Sequence, residues 1–218
     1  MPLERGGPTH VTRTFFLSHV HRSRVHWTVR DPSERPLVDG LRRGDTRAFD
    51  AVYARYRVGV HGFLLRLSRR RDVAEDLFQD TWVKLARNAH RLDDDTDLRA
   101  WLFRVARNAW VSHVRWSMLD ISRLVAIDED ALPTPASLDP ESRADASRQV
   151  SALDQALASL PPRSREVLLL VGVAGFEQEE AAAILGISYE ALRQRLSRAR
   201  TQLANRLSME DTVRKASK

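Results

Sequence analysis

One glycine, Gly186, constrains what this chain can fold into more than any other residue. Helical spacing runs up to it from Glu177 to Leu185, with Ala181, Ala182, Ile184 and Leu185 facing inward, and resumes just beyond it. Glycine enters a left-handed turn at little steric cost, so it stops the first helix. Ser188 is placed to cap the next. On that second helix Leu192, Leu196, Ala199 and Leu203 form one stripe, while Arg193, Arg195, Arg198, Arg200 and Arg206 populate the other faces. The small side chain of Ala182 lets the two helices approach at a steep angle. One side packs and the other is cationic, which is what a DNA-reading helix-turn-helix requires, because arginines near the start of the second helix reach guanine edges and phosphates. An ordinary helical hairpin with a solvated basic face is the plainer reading. The coincidence of turn glycine, cap, stripe and basic face favours DNA.

Composition agrees with this and removes other classes. At 218 residues, with 43% hydrophobic and 29% charged residues, the chain has enough apolar matter to build cores. Its net charge of +6 suits a polyanionic partner. The absence of cysteine excludes disulfides, thiolate catalysis, zinc fingers and Fe–S clusters together. Charged residues interrupt every apolar run well short of the roughly 18 residues that a membrane span needs. The run Phe15-Phe16-Leu17 is too short for a signal-peptide core, so no membrane insertion and a cytoplasmic location are expected.

The chain reads as an all-α protein of two small helical domains joined by a flexible, acidic, proline-containing linker. Residues 1–35 hold Gly6-Gly7-Pro8, Pro32 and four histidines (His10, His19, His21, His26) without sustained periodicity, and are expected to form a flexible arm with no metal role. A first domain is expected over 36–117. Leu37, Leu41, Phe49, Val52, Tyr53, Tyr56 and Val60 recur at helical spacing as one helix or a broken pair, with Asp45 as a cap. A further helix follows Arg69-Arg70-Arg71, with Asp72 as its expected cap, and another runs from Leu98 to about Trp116. Residues 118–149 carry Pro133, Pro135 and Pro140 and an excess of acids, and read as the linker. A second domain of three or four helices spans 150–208, and 209–218 is a tail.

Two surfaces of the first domain stand out. The helix after Arg71 presents Asp72, Glu75, Asp76, Gln79 and Asp80 on its polar side; an acidic face on a basic protein seeks a basic protein surface, unless it is simply solvated. The helix from Leu98 interleaves Arg99, Arg104, Arg107 and Arg115 with Trp101, Phe103, Trp110 and Trp116. Cations beside aromatic rings suit unpaired bases, each stacked base contributing about 1–3 kcal/mol. Trp101 is expected inside, given its spacing with Val105.

These residues carry a resemblance. AEDLFQDTW (Ala74 to Trp82) followed by LRAWLFRVARN (Leu98 to Asn108) resembles the second conserved region of bacterial sigma factors of the extracytoplasmic-function class in the sigma-70 family. LPPRSREVLLL (Leu160 to Leu170) with AAAILGISYEALRQRLSRARTQL (Ala181 to Leu203) resembles their fourth. The two regions cover about 37–117 and 150–207. The resemblance implies a transcription-initiation factor that joins core RNA polymerase, through its largest and second-largest subunits, and directs it to promoter DNA. It implies no cofactor, no metal and no catalytic residue, and it implies an anti-sigma protein as a further partner. It also implies roles for matching positions. Asp72, Glu75, Asp76, Gln79 and Asp80 would dock on coiled-coil clamp helices of the largest subunit. The loop Leu92 to Leu98, including Asp95 and Thr96, together with Arg104, Asn108 and Arg115, would receive the non-template strand of the minus-ten element. Arg193, Gln194, Ser197 and Arg198 would enter the major groove of the minus-thirty-five element, with Arg195 and Arg200 nearer phosphates or packing.

The chain departs from the family pattern in three places. Its loop is unusually acidic, with Asp93, Asp94, Asp95 and Asp97, where a carboxylate can accept from a cytosine amino group. Glu177 stands where a hydroxyl cap is usual, and Glu190-Ala191 replace a small residue and a threonine. The alternative function is a stand-alone helix-turn-helix regulator that binds duplex DNA without polymerase. A sigma-mimicking adaptor would need a phosphoreceiver domain that the sequence lacks. An enzyme built on the clustered aspartates would need placed histidine or glycine partners.

Overall fold

The computed structural model describes residues 34–124 and 153–216, with side chains placed at 34–118 and 153–208. Most of the expected arm, including its four histidines, and most of the expected linker lie outside the described residues. Within them every regular element is helical. In order these are α1 (Arg35–Arg42), α2 (Thr46–Ser68), α3 (Arg71–Asn88), a 3-10 turn (Ala89–Arg91) and α4 (Leu98–Leu124). After a helical segment at 153–158 come α5 (Pro162–Leu168), a π turn (Leu169–Val173), α6 (Gln178–Leu185) and α7 (Tyr189–Ala216).

The stretch from Leu37 to Val60 is a broken pair. Asp45 caps α2 by accepting from the Arg47 amide at 2.9 Å. Where α1 crosses α2 the backbones nearly touch, since a Cβ on Gly40 would stand 2.5 Å from that of Ala48. At α3 the expected cap is corrected. Arg70 holds the cap position without a side-chain cap bond, and Asp72 lies inside the first turn. There Asp72 pairs with Arg70. That hydrogen bond, then the Val73 amide, holds its carboxyl below the usual range. A carboxylate in the first turn still suits the positive end of the helix.

Two expected boundaries move. The described residues begin inside the expected arm, where Glu34 is 4% exposed because its carboxylate has partners in the core. At the other end α4 continues past 117 to Leu124, through a stretch that contains neither glycine nor proline. Trp101 is half-buried against the core, whereas Val105 is buried.

The buried side chains form one contiguous cluster that runs through both halves. Val52, Leu64, Leu85, Leu98 and Leu102 lie on one side, and Leu169, Leu170, Ile184 and Leu192 on the other. The halves meet where α4 packs on α6 and where α2 packs on α5 and the π turn. The π turn is closed by the Ala174 amide donating to the Leu169 carbonyl at 2.8 Å and the Phe176 amide to that of Leu170 at 3.0 Å. It delivers Phe176 edge-on to Phe103, with ring centroids 5.0 Å apart.

Arg165, 4% exposed, fastens this junction. It donates to the carbonyls of Leu157 and Leu67 at 3.0 Å and to those of Ala158 and Leu160 at 2.8 Å. Those oxygens belong to the ends of two helical stretches, where intrahelical donors run out. One guanidinium therefore serves the C-terminal ends of both. Burial, with Arg69 adding repulsion, pushes its pKa down to about 10, so it remains charged at neutral pH.

Candidate nucleic-acid and protein interfaces

The helix-turn-helix is built locally. Glu177 precedes α6 and closes a reciprocal capping box with Glu180, whose carboxylate accepts from the Glu177 amide at 2.9 Å. A carboxylate thus fulfils the role for which the family commonly uses a hydroxyl. Ala181, Ala182, Ile184 and Leu185 are all buried. Gly186 ends the helix at φ 67°, with the Ile187 amide donating back to the Ala182 carbonyl at 3.1 Å. Ser188 caps α7 by accepting from the Ala191 amide at 3.2 Å. On α7, Leu192, Leu196 and Ala199 are buried and Leu203 packs against the core. Arg193, Gln194, Ser197, Arg198 and Arg200 are exposed, and Arg195 is half-buried. The Arg193 guanidinium lies 5.8 Å from the ring of Tyr189, also on the exposed side. Among the described residues the outer face is cationic, with the Tyr189 ring as its large exposed apolar group.

On α3 the five acidic-face residues, Asp72, Glu75, Asp76, Gln79 and Asp80, are exposed together, while Val73, Ala74, Leu77, Trp82 and Leu85 point inward. Arg71 pairs with Glu75 at 2.9 Å and Arg70 pairs with Asp72, so the start of the face is partly neutralised from within. Beside it stands an aromatic group that composition did not single out. Tyr53 packs on Trp82 at 4.8 Å and on Phe78 at 6.1 Å, and His61 meets Phe78 edge-on at 5.5 Å. Tyr53 is exposed and Phe78 half-buried, which gives the acidic surface an apolar flank.

The residues assigned to the minus-ten strand separate into two groups. Arg104, Asn108 and Arg115 share one face of α4, spaced four and seven residues apart. Arg115 is exposed; Arg104 and Asn108 are half-buried. The Asn108 carboxamide oxygen accepts from Arg107 at 3.3 Å, and Arg107 also bonds Glu166 of α5 at 2.6 Å. Burial, then the neighbouring Arg107, lowers the pKa of Arg104. Arg104 borders a depression whose far wall is the turn of the helix-turn-helix, with Gly186, Ser188 and Tyr189. In the loop, Asp95 is exposed, but Thr96 is only 6% exposed, its side chain turned into the fold. Asp97 caps α4, accepting from the Ala100 amide at 2.8 Å. Burial first, with the Glu180 carboxylate adding to it, raises the Asp97 pKa against the effect of that amide.

A cavity of about 590 Å³ opens between α2, α4 and the π turn. Arg55, Arg66 and Arg99 line it opposite Glu34, Asp97 and Glu180, so its charges offset each other and it offers no polyanion site. Sequence reasoning missed Arg165, Glu166 and Glu34. For Arg165 and Glu166 the available signal was their place directly beside the apolar run Val167–Leu170.

Comparison with known proteins accords with this geometry. Residues 52–117 match the family model for sigma-70 region 2, and residues 151–203 match that for sigma-70 region 4. The chain is 32% identical over 170 residues to the ECF RNA polymerase sigma factor EcfG of Rhodopseudomonas palustris, covering 78% of this chain and 86% of that one. It is 35% identical over 161 residues to the RNA polymerase sigma factor CarQ of Myxococcus xanthus, covering 74% and 90%. Among solved structures it resembles the sigma factor RpoE in complex with the anti-sigma factor NepR from Bartonella quintana, with TM-score 0.64, 29% identity and coverage of 73% and 96%. It also resembles CnrH in complex with the cytosolic domain of CnrY, with TM-score 0.59, 29% identity and coverage of 81% and 98%.

Proposed function

The chain belongs to the sigma-70 family of RNA polymerase sigma factors, in its extracytoplasmic-function class, and from that premise we propose how its surfaces divide the work of promoter recognition. As a sigma factor it binds core RNA polymerase and directs it to promoters. The acidic face of α3, centred on Asp76 and Gln79, docks on a basic coiled coil of the largest subunit, and the Tyr53–Phe78 flank gives that contact an apolar anchor. Arg104, Asn108 and Arg115, with Asp95 of the preceding loop, hold the opened minus-ten strand. Arg193, Gln194, Ser197 and Arg198 read the minus-thirty-five element, while Arg195 and Arg200 contact phosphate. Residues 36–117 and 150–208 act as the two modules. The observation that carries the reading is a capped, glycine-turned helix-turn-helix with a cationic outer face on the same chain as an acid-faced helix.

Binding and strand capture suffice, without covalent chemistry; the protein is a regulator in the cytoplasm and not an enzyme. The two promoter elements lie about 25 base pairs apart, or roughly 85 Å at about 3.4 Å per step. Arg104 shares a depression with Ser188 and Tyr189, so the halves must part before both elements are read at once. Two weak modules on one tether then add their affinities only at the right spacing. An anti-sigma protein, as in the RpoE–NepR complex, is the further partner we assign.

The test is in vitro transcription with purified core polymerase on a promoter library, with and without the protein. Specific new transcripts that share two spaced elements support the assignment of surfaces. Tight duplex binding without polymerase, and no transcripts, would instead favour the stand-alone regulator.

A further inference from the structure

The segment at the start of the first domain holds the minus-ten loop in place. Glu34 lies just ahead of α1, 64 residues from the residue it reaches: its Oε2 accepts from the Leu98 amide, the first of α4, at 3.1 Å. Its Oε1 accepts from the hydroxyl of Tyr56 on α2. Glu34 is 4% exposed, Tyr56 8% and Leu98 0%, so the carboxylate acts out of water. The same helix end receives Asp97, which bonds the Ala100 amide at 2.8 Å. Two carboxylates thus share the positive end of α4, one from the loop itself and one from a distant segment. Farther along, Arg42 in the last turn of α1 pairs with Asp94 of the loop, and the 3-10 turn that opens the loop packs on α1. The α1 segment therefore grips both ends and the middle of residues 89–98.

We propose that Glu34, supported by Tyr56 and Arg42, is a positioning residue for promoter reading: it fixes the loop that receives the minus-ten base, so base preference at that position depends on a residue that never touches DNA. The inference rests on the loop assignment under Proposed function. A loop that loses one of these holds samples more conformations, and a flipped base then meets a blurred set of acceptors.

The experiment uses full-length protein reconstituted with core polymerase on promoters randomised at both elements, comparing Glu34→Ala, Glu34→Gln, Tyr56→Phe and Asp95→Ala. Glu34→Ala is expected to flatten the minus-ten base preference and to lower open-complex formation roughly tenfold, as loss of a buried charge-assisted bond implies. Core affinity and minus-thirty-five preference hold. Glu34→Gln, whose amide oxygen still accepts from Leu98, recovers part of the preference, and Tyr56→Phe, lacking only a hydroxyl, gives an intermediate loss. If Glu34→Ala does not fold, Tyr56→Phe decides by the same criterion. Unchanged minus-ten preference in Glu34→Ala and Tyr56→Phe overturns the proposal, as does a loss shared equally by core binding and minus-thirty-five reading. Asp95→Ala separates the two layers. If it shifts base preference while Glu34→Ala does not, only the positioning role fails; if neither shifts it, the loop assignment itself fails.

Discussion

Replacing Arg165 with methionine keeps the length and apolar volume of the side chain and removes its charge and donors. Four carbonyl acceptors at 2.8–3.0 Å then lose the guanidinium, and the Leu157 carbonyl keeps the Leu160 amide at 3.2 Å. Bonds from a charged donor are worth about 1.5–2 kcal/mol each at the low end, or roughly 6–8 kcal/mol together. Against this stands the cost of burying the cation. Its pKa is pushed down to about 10, which corresponds to about 3 kcal/mol that methionine recovers. The net loss is about 3–5 kcal/mol, placing the change among severe single substitutions. At about 2–4 °C per kcal/mol for a chain of this size, the thermal midpoint should fall by roughly 10 °C in far-UV circular dichroism at neutral pH. Arg165→Lys, whose ammonium cannot span four oxygens, should fall between. A fall below about 3 °C for Arg165→Met would refute the reasoning, since it would mean that water satisfies the freed carbonyls at no cost.

Asp76→Arg reverses charge at the centre of the exposed acidic face and should weaken capture of core polymerase by tenfold or more without moving the thermal midpoint; normal capture removes the docking assignment. Arg198→Ala should reduce transcription from a cognate promoter by roughly tenfold, within the about 1–3 kcal/mol of one base contact, while core affinity holds. Unaltered transcription would show that Arg198 reads no base. Asp97 has a raised pKa in the fold, so the folded state keeps a proton that the unfolded chain has lost. Stability should therefore fall as pH rises from the unfolded carboxylate range through the raised value. Asp97→Asn keeps the acceptor for Ala100, so it should flatten that decline in urea midpoints taken from about pH 3.5 to 7 and be no less stable at neutrality. Destabilisation at neutrality would contradict this.

The parts of the fold that were legible in sequence are those decided within a few residues. Gly186, Ser188 and the four inward residues of α6 sit as their spacing predicts, because cap, turn and stripe are local chemistry. The split between α1 and α2 was ambiguous, since apolar spacing continues across Asp45 and periodicity alone does not register a turn of three residues. Thr96 resembles any polar loop residue in sequence, and only the packing of the α4 entrance buries it. Glu34, Arg165 and Glu166 were illegible for a shared reason. Each has a partner 59 to 98 residues away, and a charged residue beside an apolar run reads as solvated until the opposite wall is known.

Among the described residues, arginines supply several of the bonds that cross between the halves. Arg66 meets Asp154, Arg107 meets Glu166, Arg99 meets the Ala174 carbonyl and Arg165 meets that of Leu67. Water can replace each of these when the surfaces come apart, and Arg165 keeps its three other acceptors within its own half. Separation also wets the apolar contacts through which the buried cluster joins the halves, Phe103 against Phe176 among them. The junction therefore has the chemistry of an encounter between transient partners that share a leash, held closed by high local concentration more than by an irreplaceable seam.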